Sequence, residues 1–239
     1  MTVDTTERPS SAPAKHHAGT NDIVRDVVLG MADGLTVPFA LAAGVTAAHG
    51  SSNLVITAGV AEIAAGAIAM GLGGYLAAQT ELEHYRSAYS RELRETEIAP
   101  EEERTEVRDI LSGIGLNGPH LHEVVDAIAS DRQRWVNFMM RYELGLEQPN
   151  VRRAPFSAAT IGASYVIGGI IPLLPYFFAT DAMHALGISV VVTLIALFVF
   201  GIGKAKMTST PLLISGLQTM AIGALASIVA FSLARLIHT

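Results

Sequence analysis

The segment AMHALGISVVVTLIALFVFGIG, residues 182–203, contains no Asp, Glu, Lys or Arg. At about 1.5 Å per residue, a helix of this length crosses the hydrocarbon core of a bilayer, which needs about 20 apolar residues. Four other stretches are nearly as apolar, namely Val27–Ala47, Leu54–Ala78, Phe156–Ala179 and Pro211–Ala234. The sequence therefore predicts an all-α polytopic membrane protein with five transmembrane helices.

The composition agrees with a membrane protein and excludes several other classes. The mean hydropathy of +0.40 and the hydrophobic fraction of 50% are too high for an ordinary soluble domain. The 22 glycines favour closely packed helices in lipid. Because the chain has no Cys, disulfides, thiolate metal sites and a cysteine nucleophile are excluded. The net charge of −6 argues against a nucleic-acid binder.

The basic residues predict the orientation of the chain, because Lys and Arg near span ends stay on the cytoplasmic side. Of the 16 Lys and Arg, all except Arg235 lie in the N-terminal tail, between the second and third spans, or at the end of the fourth span. We therefore expect a cytoplasmic N terminus and a C terminus outside the cell or in a lumen. The expected location is the cell (inner) membrane of a prokaryote or a vacuole-type membrane of a eukaryote.

Residues 1–21 are rich in Thr, Ser, Pro, Ala and His. This composition is typical of disordered segments, so we expect a disordered cytoplasmic tail. His16 and His17 in the tail are compatible with a metal contact or with a solvated pair. The predicted domains after the tail are transmembrane helices 1 and 2 (22–78), a helical cytoplasmic domain (79–155) and transmembrane helices 3 to 5 (156–239).

The hydrophilic segment 79–155 holds 15 of the 22 acidic residues. The helix of the second span is predicted to continue to Ile98, and a second helix to run from Pro100 to about Ser112. A third is predicted from near His120 to Leu146. A segment of about 77 residues is small for an independent core, so we expect it to pack against a second copy.

Several carboxylates in this segment occur at helical spacing. Positions three or four apart lie on one helix face, so each pair presents its oxygens together, as a hard divalent cation requires. The residues concerned are Glu92, Glu95, Glu103, Glu106 and Glu143, with the thioethers of Met139 and Met140 beside the last. Two alternatives stay open: a solvated acidic face balanced by neighbouring Arg, and methionines that only pack in a core.

Two acids fall inside predicted spans, where an ionisable side chain is costly and marks function by default. Asp33 lies about 10 Å from the cytoplasmic end of the first span, beside the Gly34 carbonyl that Pro38 leaves without a helical donor. Glu62 lies in the second span, and Met70 follows about 12 Å further along the helix. Because the two spans run in opposite directions, we expect Met70 at the depth of Asp33. Carboxylates with a thioether suit a transition metal; the alternative is that the acids only bond neighbouring helices and Met70 only packs.

The chain resembles the vacuolar iron transporter family in three features. They are ADGLTVPFAL at residues 32–41, EIAAGAIAMGLGGYLA at residues 62–77, and the acidic helical insert. The likeness extends from about Asp22 to the C terminus. It implies a homodimer with five spans per chain that exports Fe²⁺, and often Mn²⁺, from the cytosol in exchange for protons, through a pore at the dimer interface. A bacterial-type member is expected.

The resemblance also implies roles for individual residues. Asp33, Glu62 and Met70 match the translocation path. The ligands of the family's cytoplasmic metal-binding domain are matched by Glu92, Glu95, Glu103, Glu106, Met139, Met140 and Glu143. No tightly bound cofactor is implied, because the divalent metal is the substrate. The expected partners are the lipid bilayer, metal ions, protons and a second copy, and no nucleic acid.

The sequence fits other functions less well than transport. A membrane-attached di-iron ferroxidase needs two Glu-x-x-His units, and only residues 81–84 supply one, so we expect no enzyme. The sequence HLHE at residues 120–123 lacks the histidine spacing of a zinc protease. A passive divalent-metal channel or a metal sensor with the same acidic domain stays open. The residue types do not rank Fe²⁺ against Mn²⁺, Co²⁺ or Zn²⁺.

Overall fold

The computed structural model describes residues 18–208 and 210–237, with side chains for residues 22–207 and 210–237. Every regular element in this part of the chain is a helix. The elements are α1 (Ala18–Ala47), α2 (Ser52–Ile98), α3 (Pro100–Gly113), α4 (Pro119–Ala129), α5 (Arg132–Tyr142), α6 (Arg153–Leu173), a 3-10 turn (Leu174–Phe177), α7 (Ala182–Thr208) and α8 (Leu212–Ile237). Helices α1, α2, α6, α7 and α8 are long and apolar enough to cross a membrane. The predicted all-α class with five membrane-spanning helices is confirmed.

Most helix boundaries follow the sequence signals. α2 is uninterrupted to Ile98, and α3 restarts with Pro100 in its first turn, where the missing N–H of proline costs nothing. α1 begins at Ala18, inside the segment predicted as a tail. The rest of that segment, residues 1–17 with His16 and His17, lies outside the described residues.

The prediction of a single third helix in the insert, from His120 to Leu146, is wrong. The structure has two helices there, because α4 ends at Ala129 and α5 begins at Arg132. Asp131 adopts an extended backbone, and its carboxylate accepts the Arg134 backbone N–H at 2.8 Å, which is an N-cap that starts a new helix. α5 ends at Tyr142, and Gly145 then turns the chain at a φ of 64°.

The chain folds as two compact units. The first comprises the described residues up to Ala67 together with those from Thr160 onward, and so contains α1, the first part of α2, α7, α8 and the greater part of α6. The second is Ile68–Ala159 and contains α3, α4, α5 and the distal part of α2. It is longer at both ends than the predicted domain 79–155.

In the first unit, α1 and α6 approach each other through glycines. A Cβ added to Gly34 would meet the backbone of Tyr165, and one added to Gly30 would meet the carbonyl of Ile161. A Cβ on Gly168 would lie 3.0 Å from backbone atoms of α1. Small residues let helix backbones come together in lipid, where packing rather than water drives association. The order of these contacts shows that α1 and α6 run in the same direction.

The substitution Gly34→Ala is expected to destabilise the first unit by about 1–3 kcal/mol, the usual cost of overpacking. The added methyl group would face the backbone of Tyr165, which cannot rotate away as a side chain can. Gly187→Ala on α7 is the matched control, because no atom of the described residues lies within 4 Å of its added Cβ. Thermal unfolding of the full chain in detergent should give a lower transition temperature for Gly34→Ala only. Equal temperatures for the two variants would contradict the close packing.

A buried cluster joins four of these helices at the other end of the first unit. It contains Ala43 of α1, Val55 of α2, Leu173 of α6 and Ala185 of α7, together with Tyr176 of the 3-10 turn. The Tyr176 hydroxyl shares a hydrogen bond of 3.1 Å with Thr46 Oγ1, so the phenol is paired although it is buried. This cluster fixes the C-terminal ends of α1 and α6.

The second unit has two apolar clusters, and α5 contributes to both. One face of α5 packs against α3 and α4, in a cluster of Val107, Leu111, Leu121, Val125, Trp135 and Met139. Another face packs against α2, through Val136 and Met140 with Ala88. α5 therefore lies between α2 and the α3–α4 pair, and it sets the distance between the acidic residues that these helices carry.

Candidate metal sites

Three acidic side chains of the second unit converge where α2 gives way to α3. Glu92 and Glu95 lie one turn apart on α2, and Glu103 lies in the first turn of α3. One carboxylate oxygen of each lies within 4.8 Å of the others, so the three could hold one metal ion. Glu92 is 2% exposed and Glu103 is 5% exposed. Glu92 has Arg91 beside it, whereas Glu103 has a buried oxygen with no partner among the described residues. Because ionisable residues are rarely buried without a partner, this oxygen favours a cation site over a solvated acidic face.

Glu103 is the member of the cluster that has a buried oxygen unpaired among the described residues. Its Oε2 is buried and has no hydrogen-bond partner among the described residues. Burial, and next the charges of Glu106 and Glu92, raise the pKa of Glu103 to about 7. Burial and then the charge of Glu95 also raise the pKa of Glu92. A divalent cation at this point would relieve the repulsion and supply a partner for the orphaned oxygen.

Besides burial, the negative charges of Glu106 and Glu143 raise the pKa values of carboxyl groups in the same cluster. Glu143 follows the last residue of α5 and keeps much of its surface exposed. Partial burial of its carboxyl, and then the charges of Glu92 and Glu106, raise the pKa of Glu143 to about 7. Three of the five predicted carboxylates thus converge, and Glu106 and Glu143 are near enough for their charges to act on them.

Met139 and Met140 are both buried, at 0% and 1% exposure. Met139 belongs to the apolar cluster of Trp135, and Met140 belongs to that of Val136. These contacts are those of core residues, which was the alternative interpretation of the two methionines. Their role as soft ligands stays a prediction.

The raised pKa values predict an unusual pH dependence of stability. Glu103 and Glu143 keep a proton up to about pH 7 in the folded protein, whereas their ordinary value is 4.5. Since the folded state binds more protons between these values, the free energy of unfolding of the metal-free protein should fall as the pH rises from about 4.5 to 7. Above that range the loss is complete. A divalent cation should restore stability there, because it takes the place of the protons.

Thermal unfolding in detergent measures this effect, with Trp135 as the fluorescent reporter. Trp135 is the only tryptophan of the chain and is buried in the second unit. The transition temperature in EDTA should decrease between pH 5 and pH 7, and added Mn²⁺ should raise it most at the higher pH. A metal-free protein that becomes more stable over this range would contradict the protonated cluster.

In the first unit, Glu62 of α2 meets Tyr165 of α6. The Tyr165 hydroxyl donates a hydrogen bond to Glu62 Oε1, and Glu62 Oε2 is buried with no partner among the described residues. Tyr165 is 2% exposed, and its ring fills the space that a Cβ on Gly66 would need. Because Gly66 lies one turn beyond Glu62, it makes room for the phenol beside the carboxylate. One carboxylate oxygen is thereby oriented, and the other has no partner among the described residues.

Tyr165 was not among the site residues predicted from the sequence. The available signal was a tyrosine inside an otherwise apolar span, together with a glycine one turn from Glu62. Asp33 lies on an exposed face of α1 in the single chain, and Met70 is half-buried on α2. The roles of Asp33, Glu62 and Met70 in translocation stay predictions.

The comparison with known proteins agrees with the resemblance noted in the sequence. The model of the VIT family matches residues 24–235. "Vacuolar iron transporter 1" of Arabidopsis thaliana is 51% identical over 222 residues, which cover 93% of this chain and 89% of the relative. "Vacuolar iron transporter 2" of Oryza sativa subsp. japonica is 50% identical over 223 residues, covering 93% and 91%.

A fungal relative is also similar. "Protein CCC1" of Saccharomyces cerevisiae is 40% identical over 190 residues, which cover 78% of this chain and 58% of the relative. These are plant and fungal proteins, so they lend no support to the expected bacterial-type member. The plant relatives are named as transporters and not as enzymes. With five membrane-length helices and a family match that spans nearly all of them, the chain is an integral membrane protein that belongs to the VIT family.

Proposed function

We propose that this protein transports Fe²⁺, and also Mn²⁺, out of the cytosol in exchange for protons. The observation that carries the proposal is Glu62, a carboxylate in a membrane-spanning helix with one oxygen held by Tyr165 and the other buried without a partner among the described residues. Burying such a charged group in a bilayer has a high free-energy cost unless the group binds a cation or a proton. The names of the plant relatives support iron as the cargo.

The acidic cluster of the second unit would act as the capture site. Glu92, Glu95 and Glu103 offer converging oxygens, and Glu106 and Glu143 add negative charge around them. The concentrated charge attracts divalent cations. Carboxylates also suit a site that must release its ion, because metal and protons compete for the same oxygens.

Asp33, Met70 and Glu62 would then form the path through the membrane. A thioether in this set favours transition metals over Mg²⁺ or Ca²⁺, which prefer oxygen ligands alone. Protons that arrive from the acidic side would neutralise Asp33 or Glu62 and release the metal outward. The two carboxylates on the path, Asp33 and Glu62, would therefore alternate between a proton and a metal ion.

The position of Asp33 supports a homodimer with the pore between its two chains. This residue is exposed in the single chain although it lies within a membrane-spanning helix. A carboxylate cannot face hydrocarbon without a large cost. A second copy covering this face of α1 would place the two Asp33 side chains in a path lined by protein.

The basic residues support a cytoplasmic N terminus and an external or lumenal C terminus, because all Lys and Arg except Arg235 then lie on the cytoplasmic side. A vacuole-type membrane fits the names of the plant relatives. In that membrane the proposed direction moves metal into the vacuole lumen.

The proposal is tested with the full chain in liposomes that contain a metal-sensitive dye. An acidic interior should accelerate the entry of Fe²⁺, and Mn²⁺ should compete with it. Flux that ignores the pH gradient would support a passive channel instead. Oxygen consumption on addition of Fe²⁺ to the protein would support a ferroxidase.

A further inference from the structure

Arg91 places a positive charge against the acidic cluster of the second unit, which is the proposed capture site. Its Nη2 lies 3.5 Å from Glu92 Oε1, and its Nε lies 3.7 Å from Glu95 Oε2. Glu92 and Glu95 are two of the three residues whose oxygens converge with the orphaned carboxylate of Glu103. Other arginines of the second unit bind elsewhere, since Arg104 pairs with Asp126 and Arg132 pairs with Glu97.

The two side chains of this ion pair differ in solvent exposure, and therefore in how freely they can move. The Arg91 side chain is 52% exposed, whereas that of Glu92 is 2% exposed. Both contacts are longer than a close charge-assisted hydrogen bond, which has about 2.7–2.9 Å between nitrogen and oxygen. Arg91 can therefore leave for solvent at little cost, while Glu92 stays in place.

A metal ion bound by Glu92 and Glu95 would meet this guanidinium. Two positive charges beside the same carboxylates repel each other, and the oxygens that bind the ion are those that Arg91 contacts. The guanidinium cannot lose its proton, so the repulsion is relieved only when one of the two cations moves away.

We propose that Arg91 is a tethered competitor of the metal ion at the capture site. This inference rests on the proposed function of the cluster. In the metal-free cluster, Arg91 neutralises part of the negative charge. When a metal ion binds, the Arg91 side chain moves into solvent. Its return to the carboxylates speeds dissociation of the ion. Because the side chain is attached one residue from Glu92, its effective concentration at the site is high whatever the cytosolic salt. A site built in this way passes its ion on, whereas a storage site would retain it.

The test is Mn²⁺ binding to the full chain in detergent, with free Mn²⁺ measured by electron paramagnetic resonance. Arg91→Gln should bind Mn²⁺ about threefold to tenfold more tightly, the range expected from ion pairs of this exposure. Mn²⁺ release into EDTA, followed through Trp135 fluorescence, should slow by a similar factor. Arg91→Lys keeps the charge but cannot contact two carboxylates with a planar fork, so it should lie between wild type and Arg91→Gln.

Arg94→Gln is the matched control, since it removes one positive charge from the exposed surface of the same helix. It should leave both the affinity and the release rate at the wild-type values. Equal tightening in Arg91→Gln and Arg94→Gln would assign the effect to net charge and overturn the inference. Unchanged binding in Arg91→Gln would also overturn it, while leaving the capture site intact. Wild-type protein that binds no Mn²⁺ would contradict the capture site itself.

Discussion

Glu62→Gln is expected to slow Fe²⁺ uptake into liposomes about a hundredfold. The amide keeps the shape of the side chain and can still accept the hydrogen bond of Tyr165. It carries no negative charge, however, and it takes up no proton. Removing one partner of a charge pair in a low-dielectric setting costs about 3 kcal/mol or more, which corresponds to this factor in rate. Initial uptake rates with an acidic lumen provide the measurement.

Glu83→Gln is the matched control, because Glu83 lies on the same helix but is exposed and outside the apolar part of α2. It should transport at the wild-type rate. Tyr165→Phe should be intermediate, since the carboxylate remains but loses the donor that orients it. Wild-type uptake by Glu62→Gln would contradict the assignment of Glu62 to the path.

The second large effect is expected at the capture cluster, where Glu103→Gln should weaken Mn²⁺ binding by about tenfold to a hundredfold. That range is typical even of residues that only support metal ligands, and Glu103 supplies an oxygen of its own. Isothermal titration at pH 8 with the full chain in detergent measures the affinity.

The stability of the same variant separates lost binding from lost folding. Glutamine cannot ionise, so Glu103→Gln removes the pH penalty that burial and neighbouring charges impose on this position. The metal-free variant should therefore be at least as stable as the wild type at pH 8. Glu123→Gln is the control, because Glu123 is exposed and its ion pair is with His120, three residues earlier on the same helix. Wild-type affinity in Glu103→Gln would exclude Glu103 from the metal site.

The fold was predictable where one simple property decides it. An apolar stretch of sufficient length spans a membrane whatever its neighbours are, which is why all five spans were found. Pro100 was equally informative, because its ring ends one helix and starts the next. The break before α5 was missed because Asp131 is compatible with a helix interior or an N-cap, and no glycine or proline marks the position.

The candidate site was predictable only in part. Helical spacing and the family resemblance selected the five glutamates, but spacing does not show which residues become buried together. The difference between the buried Glu92 and the exposed Arg91 depends on how α5 packs against α2. The pairing of Glu62 with Tyr165 likewise joins residues 103 positions apart in sequence, so only tertiary structure reveals it.

The glycine contact between α1 and α6 limits how this protein changes shape. Where the backbones touch at Gly30, Gly34 and Gly168, neither helix can slide or roll past the other without forcing atoms to overlap. Any alternation between inward-open and outward-open states should therefore carry α1 and α6 together as one rigid body. Tyr165 would move with Asp33, and a change of access from one side of the membrane to the other would come from movement of other helices relative to α1 and α6.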